Sequence, residues 1–359
     1  MNDFEWIKSI KSNIFNFITK LTDDNYSYIR YSLTGDIYDR NINWGLGQNV
    51  FMAKILFMLD LIGKVNEKQR INLIKNIKKF ENKDGFISDP LIIKNITYKK
   101  YKFFIDKKTK NNIIKTKIAE TRQSFSALNC LNEKPQKPFL KIPYSKKGIN
   151  TYLSRLDWQR PWDAGSHFSH LLFFLNMNKK LFGYSNDLAD ELINYANSWV
   201  DNIQSDDDGF WYNKDTSNLE KINGAMKILT GKTAADIFYV KNHEKIIDLC
   251  LKSVNDNEAC SNFNIVYCLY YCSNISDYRI DEIKEFCLDR LKIYKKFYHE
   301  KVGGFSFFIN KANDIYYEVK ITRGINEPDI HGTVMFLWGI TLISKILKLD
   351  FIDFNIPLT

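Results

Sequence analysis

The sequence lacks long apolar runs. No stretch of the 359 residues approaches the roughly eighteen consecutive apolar side chains that a membrane-spanning helix requires. The segment at residues 1–21 carries acids and lysines among its apolar positions, so it lacks the apolar centre of a signal peptide and is typical of an amphipathic helix. We therefore expect a cytoplasmic protein without a transmembrane segment.

The cysteines lack the spacing of a metal site. None of the six forms a Cys-x-x-Cys pair, which argues against a zinc site of the finger type. Cys268 and Cys272 lie four residues apart, on one face of an apolar segment that is predicted to be a buried helix. We interpret them as reduced core thiols, which is consistent with a reducing compartment.

Arginine is scarce although the chain is basic. Only nine of its 51 basic residues are arginine, and the formal net charge is +9. Sequence-specific readers of nucleic acid rely on arginine forks, so we do not expect a nucleic-acid partner. Lysines concentrate at residues 98–117, inside a predicted basic insertion at about 92–118. This insertion is either a solvated segment or a contact with an anionic partner, and both interpretations stay open.

Several motifs of cofactor and hydrolase chemistry are also missing. The sequence contains no Walker loop, no Rossmann glycine fingerprint and no Gly-x-Ser-x-Gly elbow. ATP-dependent, NAD-dependent and serine-hydrolase chemistry therefore lack support, and we expect no cofactor.

Two kinds of helical segment alternate along the chain. Segments with one polar face suit the outside of a layered protein, and they occur at residues 3–21, 69–80, 187–203 and 281–297. Segments that are apolar on nearly all sides suit a core, and they occur at residues 43–62, 120–131, 162–175, 223–231, 260–272 and 329–347. An outer helix followed by an inner helix, repeated six times, predicts an all-α fold: the (α/α)6 toroid of six outer–inner helix pairs. Because the alternation runs along the full length, we expect a single domain over residues 1–359. The outer helix is weakly marked around residues 140–155 and 233–252.

A short phrase with Gly-Phe recurs between outer and inner segments. It reads KDGFISD at residues 83–89, DDGFWYN at 207–213 and VGGFSFF at 302–308. Glycine permits the positive φ that ends a helix, and the phenylalanine after it can pack into the core. The three aspartates 206–208 are therefore interpreted as part of a turn rather than as an acid cluster.

These phrases resemble the repeats of the terpenoid cyclase and protein prenyltransferase toroids, in which a similar turn leads into an inner helix. Glu120, Arg122, Ser124 and Phe125 match the acidic-x-Arg-x-Ser/Thr-aromatic phrase that often begins that helix, and residues 204–211 resemble the Gln/Trp repeat of squalene cyclases. The resemblance implies the toroid fold and an isoprenoid substrate. This chain departs from the family because it has neither an Asp-x-Asp-Asp motif in a cavity position nor an Asp-Asp-x-x-Asp motif.

The starts of the inner helices supply the candidate functional residues. In such a toroid these starts converge on one end of a central cavity, where free backbone N–H groups favour anions. The catalytic candidates are Glu120, Asp163, His167, Asp329 and His331. The candidates for substrate binding are Trp44, Gln48, Arg122, Gln123, Trp158, Trp162, His170, Asn223, Lys227, Asn262, Arg323 and Glu327.

Two stretches of this set are dense in histidine and carboxylate. His167 and His170 share a helix face, and three interpretations stay open: they are acid–base groups, they form a zinc site with Asp163 or His331 as a third ligand, or they are structural histidines. Asp329 lies two residues before His331 and forms a candidate acid–base pair with it. The stretch EPDIHGT at residues 327–333 also resembles the zinc-histidine segment of prenyltransferase β subunits, which would make His331 a zinc ligand. The Asp-x-Cys pair of that pattern is absent here, so zinc is a secondary expectation.

Three functions are compatible with these residues. The first is an acid–base enzyme that acts on a carbohydrate or glycoconjugate, as a hydrolase, lyase or epimerase, since amides, carboxylates and indole rings bind sugars well. The second is an isoprenoid-processing enzyme, which the turn repeats favour. The third is a non-catalytic toroid that binds a partner or ligand. We expect the first.

Overall fold

The computed structural model describes residues 5–99, 107–254 and 256–358. Helices make up 57% of the described residues, and the four strands among them are only two residues long. The predicted all-α class is therefore confirmed. Contacts between residues divide the described chain into two compact units: unit 1 lies within residues 1–136, 291–341 and 349–357, and unit 2 within 137–290, 342–348 and 358–359.

The helices alternate between two kinds, as predicted. Those with one buried face are α2 (Ile10–Lys20), α4 (Glu67–Lys78), α7 (Lys146–Ser154), α9 (Asn186–Asp201), α11 (His243–Lys252) and α13 (Ile280–Lys295). Those buried on most sides are α3 (Leu46–Met58), the second half of α6 (Lys107–Cys130), α8 (Pro161–Phe182), α10 (Asn218–Ala234), α12 (Ala259–Ser273) and α14 (Ile330–Leu347). Two short helices, α1 (Glu5–Lys8) and α5 (Pro90–Lys99), complete the set among the described residues, with a 3-10 turn at Ile62–Lys64.

Burial explains the alternation. In α9 the buried residues recur at helical spacing and end with Ala196 and Val200, whereas α12 buries twelve residues around its whole circumference. Helices α7 and α11 fill the two places where the outer pattern is weakest in sequence. Closure of these helices into a toroid stays a prediction.

The start of α6 differs from the prediction. This helix begins at Lys107, so Glu120, Arg122 and Gln123 lie in its middle rather than at an exposed N-terminus. No glycine or proline interrupts residues 107–130, so nothing stops the helix from extending backwards from the apolar segment. Most of the predicted basic insertion therefore belongs to α5 and to the first half of α6, while residues 100–106 lie outside the described residues.

Each of the three Gly-Phe phrases forms a turn closed by antiparallel pairing. The first pairs Glu81 with Ile87 and the second pairs Gln204 with Trp211. The third is the hairpin of β1 (Tyr298–His299) and β2 (Gly304–Phe305). The turn glycines at positions 85, 209 and 303 all have positive φ, between 80° and 98°, and the phenylalanine of each turn is buried. The turn interpretation of these phrases is confirmed.

The aspartates of the second turn do not form an acid cluster. Asp206 pairs with Lys241 at 2.7 Å, whereas Asp208 pairs with Lys221 at 2.7 Å and accepts from the hydroxyl of Tyr212 at 3.0 Å. Each carboxylate thus attaches the turn to a different neighbouring segment.

Helix α14 is the one helix of the described residues that is long and apolar enough to cross a membrane, by length and composition alone. Of its apolar window, 78% is buried inside the protein. Core helices of proteins outside membranes share these properties, so α14 gives weak support for a membrane span.

Helices α8 and α10 of unit 2 pack closely because small residues line their contact. A Cβ atom added at Gly224 would lie 2.6 Å from Cβ and 2.8 Å from the carbonyl carbon of Pro161, the first residue of α8. A Cβ atom at Gly231 would lie 2.7 Å from Cα of Ser169. Backbone meets backbone at both places, so neither helix can accommodate a methyl group by rotating a side chain.

Replacing Gly224 with alanine is therefore expected to lower the free energy of unfolding by about 1–3 kcal/mol, because the added methyl group forces the two helices apart. Urea unfolding followed by circular dichroism measures this change. Gly63→Ala is the control, since no heavy atom lies within 4 Å of its added Cβ. An equal effect in both variants would contradict close packing as the cause.

Candidate functional site

The structure divides the predicted site residues between the two units. Unit 1 holds Trp44, Gln48, Glu120, Arg122, Gln123, Arg323, Glu327, Asp329 and His331. Unit 2 holds Trp158, Trp162, Asp163, His167, His170, Asn223, Lys227 and Asn262. Each group is described within its own unit.

Asp89, which the sequence analysis did not select, organises the site in unit 1. Its Oδ2 accepts the backbone N–H groups of Gly45 at 2.7 Å and Leu46 at 3.1 Å, at the start of α3. Its Oδ1 accepts the N–H of Leu91 at 3.0 Å, at the start of α5. One buried carboxylate thus caps two helices. The Asp-Pro pair at the end of the KDGFISD phrase is the sequence signal for this role.

Glu120 accepts a hydrogen bond from the backbone of Asp89. The Asp89 N–H donates to Glu120 Oε2 at 3.0 Å. The other oxygen, Oε1, is buried and has no hydrogen-bond partner. Burial, and then the nearby charge of Asp89, raise the pKa of Glu120 well above its usual value. Glu120 therefore favours the protonated acid, as a general acid requires.

Two tyrosines from a hairpin lie against this site, and the sequence analysis missed them. Strands β3 (Ile315–Tyr316) and β4 (Val319–Lys320) are joined by Tyr317 and Glu318, whose φ values are 45° and 64°. Such two-residue turns usually contain Asn-Gly, so this one carries no recognisable signal in the sequence. A Cβ atom on Gly47 of α3 would lie 3.1 Å from the Tyr316 ring, which shows how closely the hairpin packs on this helix.

The two phenols are part of the environment of Glu120. The Tyr316 and Tyr317 ring centroids are 4.5 Å apart, and their hydroxyls share a hydrogen bond. Burial raises the pKa of Tyr317, the charge of Glu120 raises it further, and Arg122 acts in the opposite direction. The pKa of Tyr316 is also raised, mainly by burial. Both phenols therefore stay neutral, and because one donates to the other, one hydroxyl proton is left to donate to a third group.

His331 lies in an aromatic setting near the same hairpin. Its Nδ1 is 2.9 Å from the Tyr31 hydroxyl and 3.2 Å from Nδ2 of Asn313. Its ring stacks on Phe51, with centroids 4.6 Å apart and an interplanar angle of 11°. When Tyr31 donates to Nδ1, the neutral imidazole carries its proton on Nε2.

Asp329 binds backbone groups rather than the imidazole of the predicted pair. Its Oδ2 accepts the N–H groups of Phe307 at 2.8 Å and Asn313 at 2.9 Å, and its Oδ1 accepts that of Gly332 at 2.7 Å. Burial nevertheless raises the pKa of Asp329 to about 7. These bonds attach the third turn to the start of α14, which is a structural role.

Glu327 and Arg323 also hold a loop. Glu327 accepts the N–H groups of Thr34 and Gly35, the latter at 2.7 Å, together with the Thr34 hydroxyl. Arg323 is exposed and donates to the Thr34 carbonyl. Both residues thus join two distant parts of unit 1.

The remaining candidates of unit 1 are mostly buried. The Trp44 indole N–H donates to a backbone carbonyl at 3.2 Å. Gln48 is buried in the first turn of α3, and its Nε2 has no hydrogen-bond partner. Arg122 is buried, and Gln123 accepts from the buried Lys54. Gln48 is therefore a predicted binding residue with a buried donor that lacks a partner.

In unit 2 the histidines lie near each other on α8. His167 Nδ1 is 2.8 Å from the Tyr152 hydroxyl, and the His167 and His170 ring centroids are 6.2 Å apart. Asp163 lies 3.4 Å from Arg160, at a solvent-facing ion pair. The arrangement brings the histidines together but gives Asp163 a cation partner. Trp158 is buried, whereas Trp162 is 39% exposed.

Buried amides cluster on α10 and α12. Asn264 Nδ2 donates to Asn223 Oδ1 at 2.7 Å. Asn262 donates to a backbone carbonyl at 2.9 Å, and its Oδ1 lies 3.5 Å from Arg290. Lys227 is half-buried on α10. These contacts hold neighbouring helices together, so the amides of unit 2 contribute to packing.

Across the described residues, no group of three His, Cys, Asp or Glu side chains lies together as a metal site would require. The expected zinc site thus gains no support from this geometry. Comparison with protein-family models and with curated proteins finds no match to this chain.

Glu120→Gln is expected to change the pH dependence of stability. Because the pKa of Glu120 is raised, the folded chain holds a proton that the unfolded chain has released. The free energy of unfolding of the wild type should therefore fall as the pH rises from about 5 towards that raised pKa. The variant, which mimics the protonated acid, should lack this part of the decrease.

Urea unfolding at about pH 5, 7 and 9 measures the difference between the two profiles. Asp329 contributes equally to both chains, so its titration cancels. The exposed Glu67→Gln variant is the control and should follow the wild-type profile. Parallel profiles for wild type and Glu120→Gln would show that Glu120 titrates alike in the folded and unfolded chains.

Proposed function

We propose that this protein is an acid–base enzyme that acts on a carbohydrate or glycoconjugate, with Glu120 as the general acid. The observation that carries the proposal is the state of Glu120: it is buried, it favours its proton, and Oε1 has no hydrogen-bond partner. A structural carboxylate normally has both oxygens satisfied, as Asp329 does.

The chemistry follows from the two oxygens of Glu120. Because Oε2 accepts the Asp89 N–H, the acidic proton belongs on Oε1. In the proposed reaction, Oε1 donates this proton to the leaving-group oxygen as the bond between that oxygen and the sugar carbon breaks. A water molecule adds to the carbon, and the proton that the water releases restores the acid form of Glu120. Until then the Asp89 N–H stabilises the carboxylate that remains.

Neighbouring side chains suit a sugar. The phenols of Tyr316 and Tyr317 and the amide of Gln48 offer hydrogen bonds to hydroxyl groups. The ring of Tyr316 lies 6.1 Å from that of Phe51, so apolar ring faces border the same polar groups. Polar donors beside aromatic faces are the combination that a pyranose ring requires.

A second candidate function is isoprenoid processing. Four aromatic rings surround His331, namely those of Tyr31, Phe51, Phe307 and Tyr316, with centroids between 4.6 and 6.3 Å from the imidazole. These four rings form an apolar surface that could pack against the hydrocarbon chain of an isoprenoid. The carbohydrate proposal is preferred because Glu120, whose Oε1 has no hydrogen-bond partner, favours its protonated form.

For the architecture we propose the α/α toroid. Its support is the alternation of six helices with one buried face and six apolar helices, with an apolar helix contacting the next apolar helix inside each unit, α3 with α6 and α8 with α10.

The proposed function predicts that a sugar ligand stabilises the protein and that Glu120→Gln loses turnover. A thermal-shift screen compares mono- and oligosaccharides with prenyl diphosphates, and mass spectrometry then follows conversion of each sugar that stabilises the protein. Turnover should fall by about 100-fold or more in Glu120→Gln, because removal of a general acid costs that much.

Glu67→Gln should keep wild-type turnover in the same assay, and circular dichroism should show both variants folded. Stabilisation by prenyl diphosphates alone would favour the isoprenoid function. Stabilisation by neither class would favour a non-catalytic binding protein, and unchanged turnover in Glu120→Gln would remove Glu120 from the mechanism.

A further inference from the structure

The carboxyl groups of Asp89 and Glu120 form a buried pair. Both residues are 1% exposed, and the Asp89 N–H donates to Glu120 Oε2 at 3.0 Å. The charge of the Asp89 carboxylate also acts on Glu120. Two neighbouring buried carboxyl groups cannot both carry a negative charge without a large cost in free energy, so we expect the pair to hold one proton.

Hydrogen-bond donors decide which of the two carboxyl groups is the anion. Asp89 accepts three backbone N–H groups, those of Gly45 at 2.7 Å, Leu46 at 3.1 Å and Leu91 at 3.0 Å. These donors lie at the starts of α3 and α5, where the helix dipole also favours a negative charge. Glu120 accepts one backbone N–H, and its Oε1 has no hydrogen-bond partner. The negative charge therefore belongs on Asp89 and the proton on Glu120.

The directions of the pKa shifts agree with this distribution. Burial raises the pKa of both carboxyl groups. In Asp89 the three N–H groups and that of Ile92 act against burial. In Glu120 one N–H group does so, and the charge of Asp89 raises the pKa further. Glu120 is accordingly the member of the pair whose pKa lies well above its usual value.

Other ionisable groups interact with the pair without supplying a buried charge. Tyr316 and Tyr317 of the hairpin lie near Glu120, and their raised pKa values keep both phenols neutral. Lys79, directly after α4, interacts with Asp89, but it is exposed, so solvent screens its charge. Backbone N–H groups at two helix starts thus stabilise the Asp89 carboxylate.

We propose that Asp89 is a positioning residue for the Glu120 acid. Its carboxylate is a fixed anion that keeps the proton of the pair on Glu120, and its backbone N–H occupies Oε2, so that the proton lies on Oε1. The positioning role rests on the proposed function, whereas the location of the proton does not.

The test replaces Asp89 with asparagine. The side-chain oxygen of Asp89→Asn can still accept an N–H group at the start of α3, and its backbone N–H can still donate to Glu120, but the negative charge is lost. The carboxyl carbon of Glu120, labelled with carbon-13 and identified by its absence from Glu120→Gln, is followed by NMR. It should titrate at a lower pH in Asp89→Asn than in the wild type, because burial then opposes its ionisation without the neighbouring charge.

The same variant should shift the pH profile of turnover. For a sugar that the wild type converts, the fall in turnover on the alkaline side should begin at a lower pH in Asp89→Asn, because Glu120 then loses its proton earlier. A residue that only caps helices would instead change turnover by the same factor at every pH.

Asp84→Asn is the matched control. Asp84 belongs to the same KDGFISD turn, and its Oδ1 also accepts a backbone N–H, that of Phe86 at 3.3 Å. Its side chain is exposed, so water screens its charge. Glu120 should therefore titrate in Asp84→Asn as it does in the wild type.

Three results would overturn the inference. They are a titration of Glu120 that Asp89→Asn leaves unchanged or moves to higher pH, an equal shift in Asp84→Asn, and an Asp89 carboxyl group that takes up its proton at a higher pH than Glu120 in the wild type. The last measurement does not depend on the folding of any variant. A lower titration of Glu120 in Asp89→Asn, without turnover of any sugar, would support the location of the proton and count against the carbohydrate function, so the two proposals fail separately.

Discussion

Unit 1 depends on one kind of hydrogen bond. A backbone N–H at a Gly-Phe turn donates to a carboxylate side chain in or near the next apolar helix. Glu120 accepts the N–H of Asp89 after the first turn, and Asp329 accepts that of Phe307 after the third. A threonine completes the attachment in both places, since Thr121 binds Ile87 and Thr333 binds Phe305 through backbone N–H and carbonyl groups. Buried turns have backbone polar groups that need partners, and these side chains supply them.

Glu120 and Asp329 differ in how many of their carboxylate oxygens accept hydrogen bonds from these turns. Both oxygens of Asp329 accept hydrogen bonds from backbone N–H groups, so its role is structural. Glu120 uses one oxygen and leaves the other without a hydrogen-bond partner, and burial together with the charge of Asp89 raises its pKa. The same kind of attachment thus produces a structural residue in one place and a candidate acid in the other.

Much of the fold could be predicted from the sequence because helical periodicity is a local property. The alternation of helices and the three turns were accessible in this way, whereas the selection of Glu120 assumed a helix start and the residue lies in the middle of α6. The start of α6 was not, because the helix continues through a polar, lysine-rich stretch without apolar periodicity. Tyr316 and Tyr317 were missed because their hairpin has a two-residue turn with no glycine. Which oxygen of a carboxylate keeps a partner depends on tertiary contacts that no local pattern encodes.

Unit 1 is built from both ends of the chain, which has a consequence for synthesis. Asn13 bonds Tyr298 across 285 residues, Thr34 bonds Glu327 across 293, and Tyr31 meets His331 across 300. During translation the first 136 residues leave the ribosome long before residues 291–341 exist. The apolar helices of these residues therefore keep part of their surface exposed until the later segment is synthesised. Most of unit 2 is one continuous stretch of sequence, so it can fold as it leaves the ribosome. The polar groups around Glu120 are thus among the last parts of the nascent protein to assemble, and a chain truncated before residue 291 would lack the hairpin and His331 altogether.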